Sequence, residues 1–295
     1  MRRPVGGRLV HPAGPADRLA PSLKPMPELP EVETIACDLR PCLVGRTFAD
    51  VQVNWPGAIH GLSPEEFRQQ LLDRHILGVA RRGKFLLFLL SDGWYLLIHL
   101  RMTGQLLFGQ LPPRASAHVR LAFRFDDGRQ LSFRDTRKFG RAYLTQDLNA
   151  VVGDLGPEPL ADEFDLDALT SLLRGRKGII KPLLLNQRFI AGLGNIYVDE
   201  ALFVAGIHPL RQANTLQAEE MARLYAAIRQ VLQQGIANRG TTLDDYRDSQ
   251  GQPGNNQGSL TVFHRAEEPC PRCGAPIQRS VGGGRGTYFC SRCQK

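Results

Sequence analysis

The sequence contains no apolar run near the roughly 20 uncharged residues that a membrane-spanning helix requires. Its longest apolar stretches, 85–90 and 94–98, are separated by Ser91-Asp92-Gly93. It also lacks the apolar core of a signal peptide near its start. Cysteine is scarce, with six in 295 residues, and four of the six stand in two Cys-x-x-Cys pairs. That clustering argues against a secreted disulfide scaffold and leads to the expectation of a reducing, cytoplasmic setting. Aromatic residues make up only 7%, yet 42% of the chain is hydrophobic, which excludes disorder throughout and allows about two domains.

Charge is not scarce. The formal net charge is +8 at pH 7, a balance that favours a polyanionic partner. Arg2, Arg3, Arg8, Arg18 and Lys24 stand against Asp17 alone in the first 25 residues, so +4 of the +8 lies there. Local clustering is the stronger signal: 174–188 and 270–295 each carry five basic residues and no acid.

Residues 1–25 hold Pro4, Pro12, Pro15, Pro21 and Pro25 without periodicity and are expected to be a disordered leader or an untranslated segment. From Pro30, the spacing of Val32, Ile35, Ala36, Leu39 and Leu43 predicts a helix, with Glu31 and Glu33 complementing its dipole. Ser63-Pro64-Glu65-Glu66 is a capping box that opens a second. Strands are predicted over 76–80, 84–90, 94–100, 105–108, 119–125 and 130–134. A succession of short strands without intervening helices points to an antiparallel sandwich or barrel ending near Gly153. Asp154-Leu-Gly-Pro-Glu-Pro159 reads as a linker. Beyond it, helices are predicted over 166–173, 179–185, 196–204 and 218–236, then a mobile Gly/Asn/Gln-rich loop over 250–258. The expectation is an α+β multidomain chain divided as 26–153, 154–259 and 260–295.

Cys270-x2-Cys273-x16-Cys290-x2-Cys293 lets two tight turns present four thiolates to one structural zinc ion; disulfides or free thiols are the alternative. Between the pairs, Val281-Gly-Gly-Gly-Arg285-Gly is a hairpin tip that either reaches a DNA groove with Arg285 or is a solvated turn. Ala191-Gly-Leu-Gly-Asn195-Ile precedes a helix, where small residues allow a phosphate to approach and Asn195 can cap, although an ordinary capped turn has the same form. Lys177, Lys181 and Arg188 upstream favour phosphate contact. Lys84, heading an apolar strand after Arg81-Arg82-Gly83, reads by itself as a guard against aggregation. Arg137 and Phe139 at a strand end suit insertion into a base stack or form a surface Arg beside a core Phe. Met102 reads as a core gap-filler.

Met26-Pro-Glu-Leu-Pro-Glu-Val-Glu-Thr34 resembles the N-terminus of formamidopyrimidine-DNA glycosylases, bacterial base-excision enzymes that remove oxidised purines such as 8-oxoguanine. Arg-Arg-Gly-Lys84, His-Leu-x-Met102, Asp-x-Arg137-x-Phe139-Gly, Gly-Leu-Gly-Asn195-Ile-Tyr and the terminal cysteines follow in that family's order, from Met26 nearly to Lys295. The resemblance implies an N-terminal antiparallel β-sandwich flanked by helices, a helix-two-turn-helix domain and a C-terminal zinc finger. It implies that Pro27 is the nucleophile, as a secondary amine exposed by removal of Met26, and that Glu28 is the acid/base residue. It further implies phosphate grips at Lys84, Asn195 and Arg285, and that Met102, Arg137 and Phe139 fill the gap left by an extruded base. The expected activity is removal of oxidised purines through a proline Schiff base, with strand cleavage at the abasic site. The expected partner is damaged double-stranded DNA, met by a monomer without membrane association on the bacterial nucleoid.

Two departures stand out. As written, the chain does not begin at Pro27, and an internal proline nitrogen is an amide; an upstream misassigned start is the favoured explanation over a cleaved leader or a noncatalytic product. After Gln252-Pro-Gly254, where the family often has an aromatic residue, stand Asn255 and Asn256, and Val262-Phe263-His264 replaces a usual Val-Tyr-Gly. The competing readings are an endonuclease VIII-type enzyme for oxidised pyrimidines, which usually opens Pro-Glu-Gly-Pro where Leu29 stands here, and a noncatalytic zinc-dependent protein that binds damaged DNA.

Overall fold

The computed structural model describes residues 26–109 and 116–295; the leader expected over 1–25 lies outside them. Helix α1 (Leu29–Leu43) begins where the apolar spacing places it and buries Val32, Ile35, Ala36, Leu39 and Leu43. The strands that follow are β1 (Phe48–Val53), β2 (Ile59–His60), β3 (Ile76–Arg82), β4 (Phe85–Leu90), β5 (Tyr95–His99), β6 (Gly104–Phe108), β7 (Val119–Phe125), β8 (Gln130–Asp135) and β9 (Arg141–Thr145). Between β2 and β3 lies α2 (Pro64–Leu71), closed by the Ser63–Glu66 capping box.

The strands form a four-stranded sheet, β1-β7-β8-β6, and a five-stranded sheet, β2-β9-β5-β4-β3. Among the described residues the neighbours are antiparallel except β2 and β9, which run parallel. Phe48, Phe123 and Phe133 of one sheet meet Val79, Phe88 and Ile98 of the other in one core with Ile35 and Leu39 of α1, giving the antiparallel sandwich predicted. Sequence reasoning did not single out β1, β2 or β9. The unbroken apolar run of β4 also has a cause: Leu87 and Leu97 face away from the sandwich core and pack on Val152 of α3 (Asn149–Val152), so this sheet is covered on both faces.

Helices α4 (Leu166–Leu173), α5 (Ile180–Leu185), α6 (Asn195–Ala205) and α7 (Ala218–Ala237) build a second core. The terminal hairpin, β10 (Gln278–Gly282) and β11 (Arg285–Phe289), shares that core through Ile277, Tyr288 and Cys290. Leu29 belongs to it as well, so α1 is seated between the two cores. Among the described residues, no helix is long and apolar enough to cross a membrane.

The segments read as a linker and as a mobile loop are both tied down by hydrogen bonds. In the 154–159 linker, Glu158 accepts from Gly83 N at 2.5 Å, Arg81 at 2.6 Å and Arg82 at 2.9 Å. The 250–258 loop, expected to be mobile from its composition, is held by Gln252 N on Asp248 Oδ1 at 2.8 Å and Gly254 N on Thr242 Oγ1 at 2.9 Å, and Asn256 is buried. Short polar side chains supply acceptors that composition alone does not locate.

Candidate reaction site and nucleic-acid interface

Pro27 and Glu28 lie just before α1, both buried, with Glu28 in extended backbone at the N-cap. Leu29 N donates to Gly192 O at 3.0 Å, which joins this segment to the turn before α6. Gly192 has φ +85°, and a Cβ there would press on Leu29. A Cβ at Gly194 would collide with the Glu28 carboxyl. The small residues of this turn therefore make room for Leu29 and Glu28, where the sequence left open an approaching phosphate or an ordinary capped turn. In the space so left, the Glu28 carboxylate accepts from Ile196 N at 3.0 Å and Tyr197 N at 3.4 Å, at the first turn of α6, where free N–H groups favour an anion. Burial pushes the Glu28 carboxyl above its ordinary value, opposed by the Lys84 ammonium and by the Ile196, Tyr197 and Gly194 N–H groups.

Lys84 heads β4 and is buried, so desolvation lowers the pKa of its ammonium; Glu28 and Glu31 oppose the shift and Arg285 adds to it. An aggregation guard needs an exposed charge, which this lysine is not. The turn that presents it is held by Glu158, whose own carboxyl is kept below its ordinary value by Arg81, Gly83 N and Arg82 in spite of burial.

Met102, Arg137 and Phe139 come together. The Arg137 guanidinium lies 4.8 Å from the Phe139 ring centroid and its Nη1 is 3.7 Å from the Met102 sulfur. Phe139 is 45% exposed and Met102 is half-buried at an open cavity, so neither fills the core. Buried Asp135 shapes their loop by accepting from Arg137 N at 3.1 Å and Gly140 N at 2.7 Å. Met102, Phe139, Arg141 and Arg285 line a single open cavity of about 510 Å³. Arg285, on the terminal hairpin, thus faces residues of the sandwich.

Asn195 is the first residue of α6; the N-cap is Gly194, and the Asn195 side chain donates to Gly286 O at 3.0 Å. Lys181, read as a phosphate contact, is instead fully buried: its Nζ pairs with Asp199 Oδ1 at 2.6 Å and donates to Gly286 O at 3.0 Å. Asp199 Oδ2 accepts from Tyr288 N at 3.0 Å, and burial raises the Asp199 carboxyl to about 7 against the pull of Lys181. These groups hold the hairpin that carries Arg285. Glu200, one residue on, accepts from Thr261 N at 2.8 Å, Val262 N at 2.9 Å and Phe263 N at 2.8 Å, fixing the chain entering the finger. Both acids lie in the second turn of α6 and serve tertiary contacts.

The four paired cysteines converge, with sulfur atoms all within 4.8 Å of one another, Cys270–Cys293 at 3.8 Å and Cys273–Cys290 at 3.5 Å. Tetrahedral zinc bound to four sulfurs at about 2.3 Å sets them roughly 3.8 Å apart. The donor set and spacing fit one structural zinc ion, held by Cys270, Cys273, Cys290 and Cys293.

Sequence reasoning missed Glu31, which it placed only as a complement to the helix dipole. Its buried carboxylate accepts from Glu28 N at 2.8 Å, Tyr197 Oη at 2.7 Å and Thr241 N at 2.7 Å. Desolvation and the neighbouring Glu28 raise it to about 7. Its bond from Glu28 N spans three positions; its partners 166 and 210 positions away leave no local signal.

Three family models match the chain: the formamidopyrimidine-DNA glycosylase N-terminal domain over 26–142, the formamidopyrimidine-DNA glycosylase H2TH domain over 155–247, and a zinc finger found in FPG and IleRS over 267–295. The chain is 50% identical over 276 residues to the formamidopyrimidine-DNA glycosylase of Pelotomaculum thermopropionicum, covering 92% of this chain and 99% of that protein. It is 45% identical over 275 residues to that of Protochlamydia amoebophila, covering 92% and 100%. Among solved structures, it is similar to the MutM (FPG) protein of Thermus thermophilus, with TM-score 0.81, 42% identity and coverage of 91% and 98%. The Lactococcus lactis FPG in complex with a Fapy-dG containing DNA gives TM-score 0.83, 36% identity and coverage of 91% and 100%.

Proposed function

The chain belongs to the formamidopyrimidine-DNA glycosylase family, and from that membership we propose that it excises oxidised purines from duplex DNA through Pro27 and then cleaves the strand. The observation that carries this reading is the Glu28 carboxyl, buried beside Pro27 and under the influence of Lys84. The units at work are 26–153, 154–259 and 260–295, acting as a monomer on the bacterial nucleoid.

In the form that begins at Pro27, the proline nitrogen is a secondary amine with a pKa of roughly 8, so part of it is unprotonated near neutrality. Its lone pair attacks the anomeric carbon, the glycosidic electron pair leaves with the base, and the proton shed by the now cationic proline nitrogen neutralises the departing base. Glu28, its pKa raised by burial, delivers a proton to the sugar ring oxygen, which opens the ring and leaves an iminium between Pro27 and the anomeric carbon. The iminium acidifies the adjacent carbon. Loss of that proton expels the 3′ phosphate, a second elimination expels the 5′ phosphate, and hydrolysis frees the proline. Lys84, Asn195 and Arg285 grip phosphates beside the lesion, and Met102, Arg137 and Phe139 occupy the space left by the extruded base.

Borohydride reduction tests the reading. Protein confirmed to begin at Pro27 is expected to form a covalent adduct with duplex containing 8-oxoguanine opposite cytosine; absence of an adduct would sink it. Protein carrying residues 1–26 should bind that duplex without trapping. Faster excision of thymine glycol than of 8-oxoguanine would favour the oxidised-pyrimidine reading.

A further inference from the structure

One buried line of hydrogen bonds runs from the tethered 250–259 segment to the nucleophile end of α1. Asn256 N donates to Gly240 O at 3.0 Å, and its side-chain Nδ2 donates to Thr241 Oγ1 at 2.9 Å. Thr241 Oγ1 lies 3.1 Å from Tyr197 Oη, and Thr241 N donates to Glu31 Oε1 at 2.7 Å. The other carboxylate oxygen of Glu31 accepts from Glu28 N at 2.8 Å. That nitrogen belongs to the planar peptide joining residues 27 and 28, so holding it orients the Pro27 carbonyl and leaves the ring little more than one rotation. Gly240, at φ +82°, permits the approach: a Cβ there would stand 2.9 Å from the Tyr246 ring and 3.0 Å from Glu31 Cγ. Pro27, Glu31, Thr241 and Tyr246 line a cavity of about 10 Å³, room for roughly one water.

We propose that Glu31 is a positioning residue for Pro27, and that Thr241 and Asn256 make its placement depend on the 250–259 segment. The inference rests on Pro27 being the nucleophile. It gives Asn256, where this sequence departs from the family's aromatic pattern, a definite role, since its amide closes the polar line that an aromatic ring would leave open.

A carboxylate is acceptor-only, whereas an amide presents one acceptor and one donor face. In Glu31→Gln, either amide orientation sets N–H against a donor, at Glu28 N or at Tyr197 and Thr241. Thr241→Val removes only the hydroxyl and keeps the N–H that Glu31 accepts. The experiment is single-turnover borohydride trapping on duplex with a preformed abasic site, beside the Kd for duplex carrying a tetrahydrofuran abasic analogue, with all proteins confirmed to begin at Pro27. Glu31→Gln is expected to slow trapping about 10- to 100-fold. Its Kd should change by less than about twofold. Asn256→Ala and Thr241→Val should each slow trapping by several-fold, Thr241→Ser should restore the rate, and the double variant Thr241→Val/Asn256→Ala should be no slower than Thr241→Val alone. Trapping by Glu31→Gln at the wild-type rate overturns the proposal, as do slowing matched by an equal rise in Kd and independent, multiplying effects of the two distal changes. Where Glu31→Gln does not fold, Thr241→Val against Thr241→Ser decides. Wild-type protein that fails to trap refutes the nucleophile reading instead.

Discussion

At the scale of the residue, the proposed acid and base chemistry is set by how water is excluded from a few groups. Glu28 lies in a buried slot bounded by Gly194 and the first N–H groups of α6, and desolvation holds its proton to higher pH than in water. A nucleophilic amine needs to be unprotonated and the acid protonated, so the rate should fall on the acid side as Pro27 gains its proton and on the alkaline side as Glu28 loses its own. Glu28→Gln is expected to lower base excision by about 100-fold or more, and its residual rate should lack the alkaline limb; a pH–rate profile of both proteins checks this. His99 is shifted the other way. Burial, with Arg101 and Lys84, lowers it to about 3, and its Nδ1 accepts from Arg101 N at 3.0 Å. The unfolded chain binds the His99 proton below about 6.5 while the folded chain refuses it until about 3. The associated stability is therefore present above pH 6.5 and lost progressively below it. Denaturant midpoints at about pH 7.5 and about pH 5.5 should fall less on acidification for His99→Gln than for the wild type.

At the scale of the element, α6 does most of the joining. Its first turn receives Glu28, Asn195 and Asp199 hold the terminal hairpin, Tyr197 meets Glu31, and Glu200 fixes the entry to the finger. A helix that is buried nearly all round and carries two acids has many neighbours to satisfy. The buried Lys181–Asp199 pair, at 2.6 Å, is where that arrangement is most exposed to damage. Lys181→Met leaves the aspartate without its counter-charge, a change that typically costs about 3–5 kcal/mol. Asp199 is already raised to about 7 and rises further without the lysine. The folded variant can therefore neutralise itself by taking up a proton at low pH, and its stability is lost as pH rises through that value. The difference from wild type in thermal midpoint should be larger at about pH 8 than at about pH 6, and duplex binding should weaken because Gly286, next to Arg285, loses a donor.

At the scale of the whole molecule, two cores meet at α1. The sandwich core is complete within 32–144 apart from Tyr246, whereas the helical core is shared with the finger through Ile277, Tyr288 and Cys290. The finger's hairpin is short, and metal binding supplies folding energy that so small a ribbon lacks. Chelation is therefore expected to abolish duplex binding and lower the first of two thermal transitions while the second, the sandwich, stays in place. Unchanged binding after chelation would contradict this. The open cavity between Arg285 and the Met102–Phe139 wall follows from the same division: each core supplies one side of it.

How much of this was legible in the sequence depended on whether the signal was local. The periodicity of α1, the Ser63 capping box, the apolar runs of the longer strands and the two Cys-x-x-Cys pairs are set by neighbours a few positions apart, and the structure has them where the spacing puts them. β2, two residues long, carries too short a pattern to be read, and it exists because β9 lies beside it. The motifs around Pro27, Met102, Asn195 and Arg285 could be named in order along the chain, but the juxtaposition of Met102, Phe139 and Arg285 is a property of how the two cores close. The roles of single polar residues were the least readable. Lys181 resembled a surface cation and is buried against Asp199; Gly192 and Gly194 resembled a phosphate loop and make room for Leu29 and Glu28; Glu31 resembled a helix-end acid and is bonded to residues 197 and 241. By itself, the sequence determined the longer helices, most of the longer strands, the zinc ligands and the family. Only the tertiary structure decided which charges are buried and whom they meet, because desolvation and pairing depend on chain segments brought together from far apart in sequence.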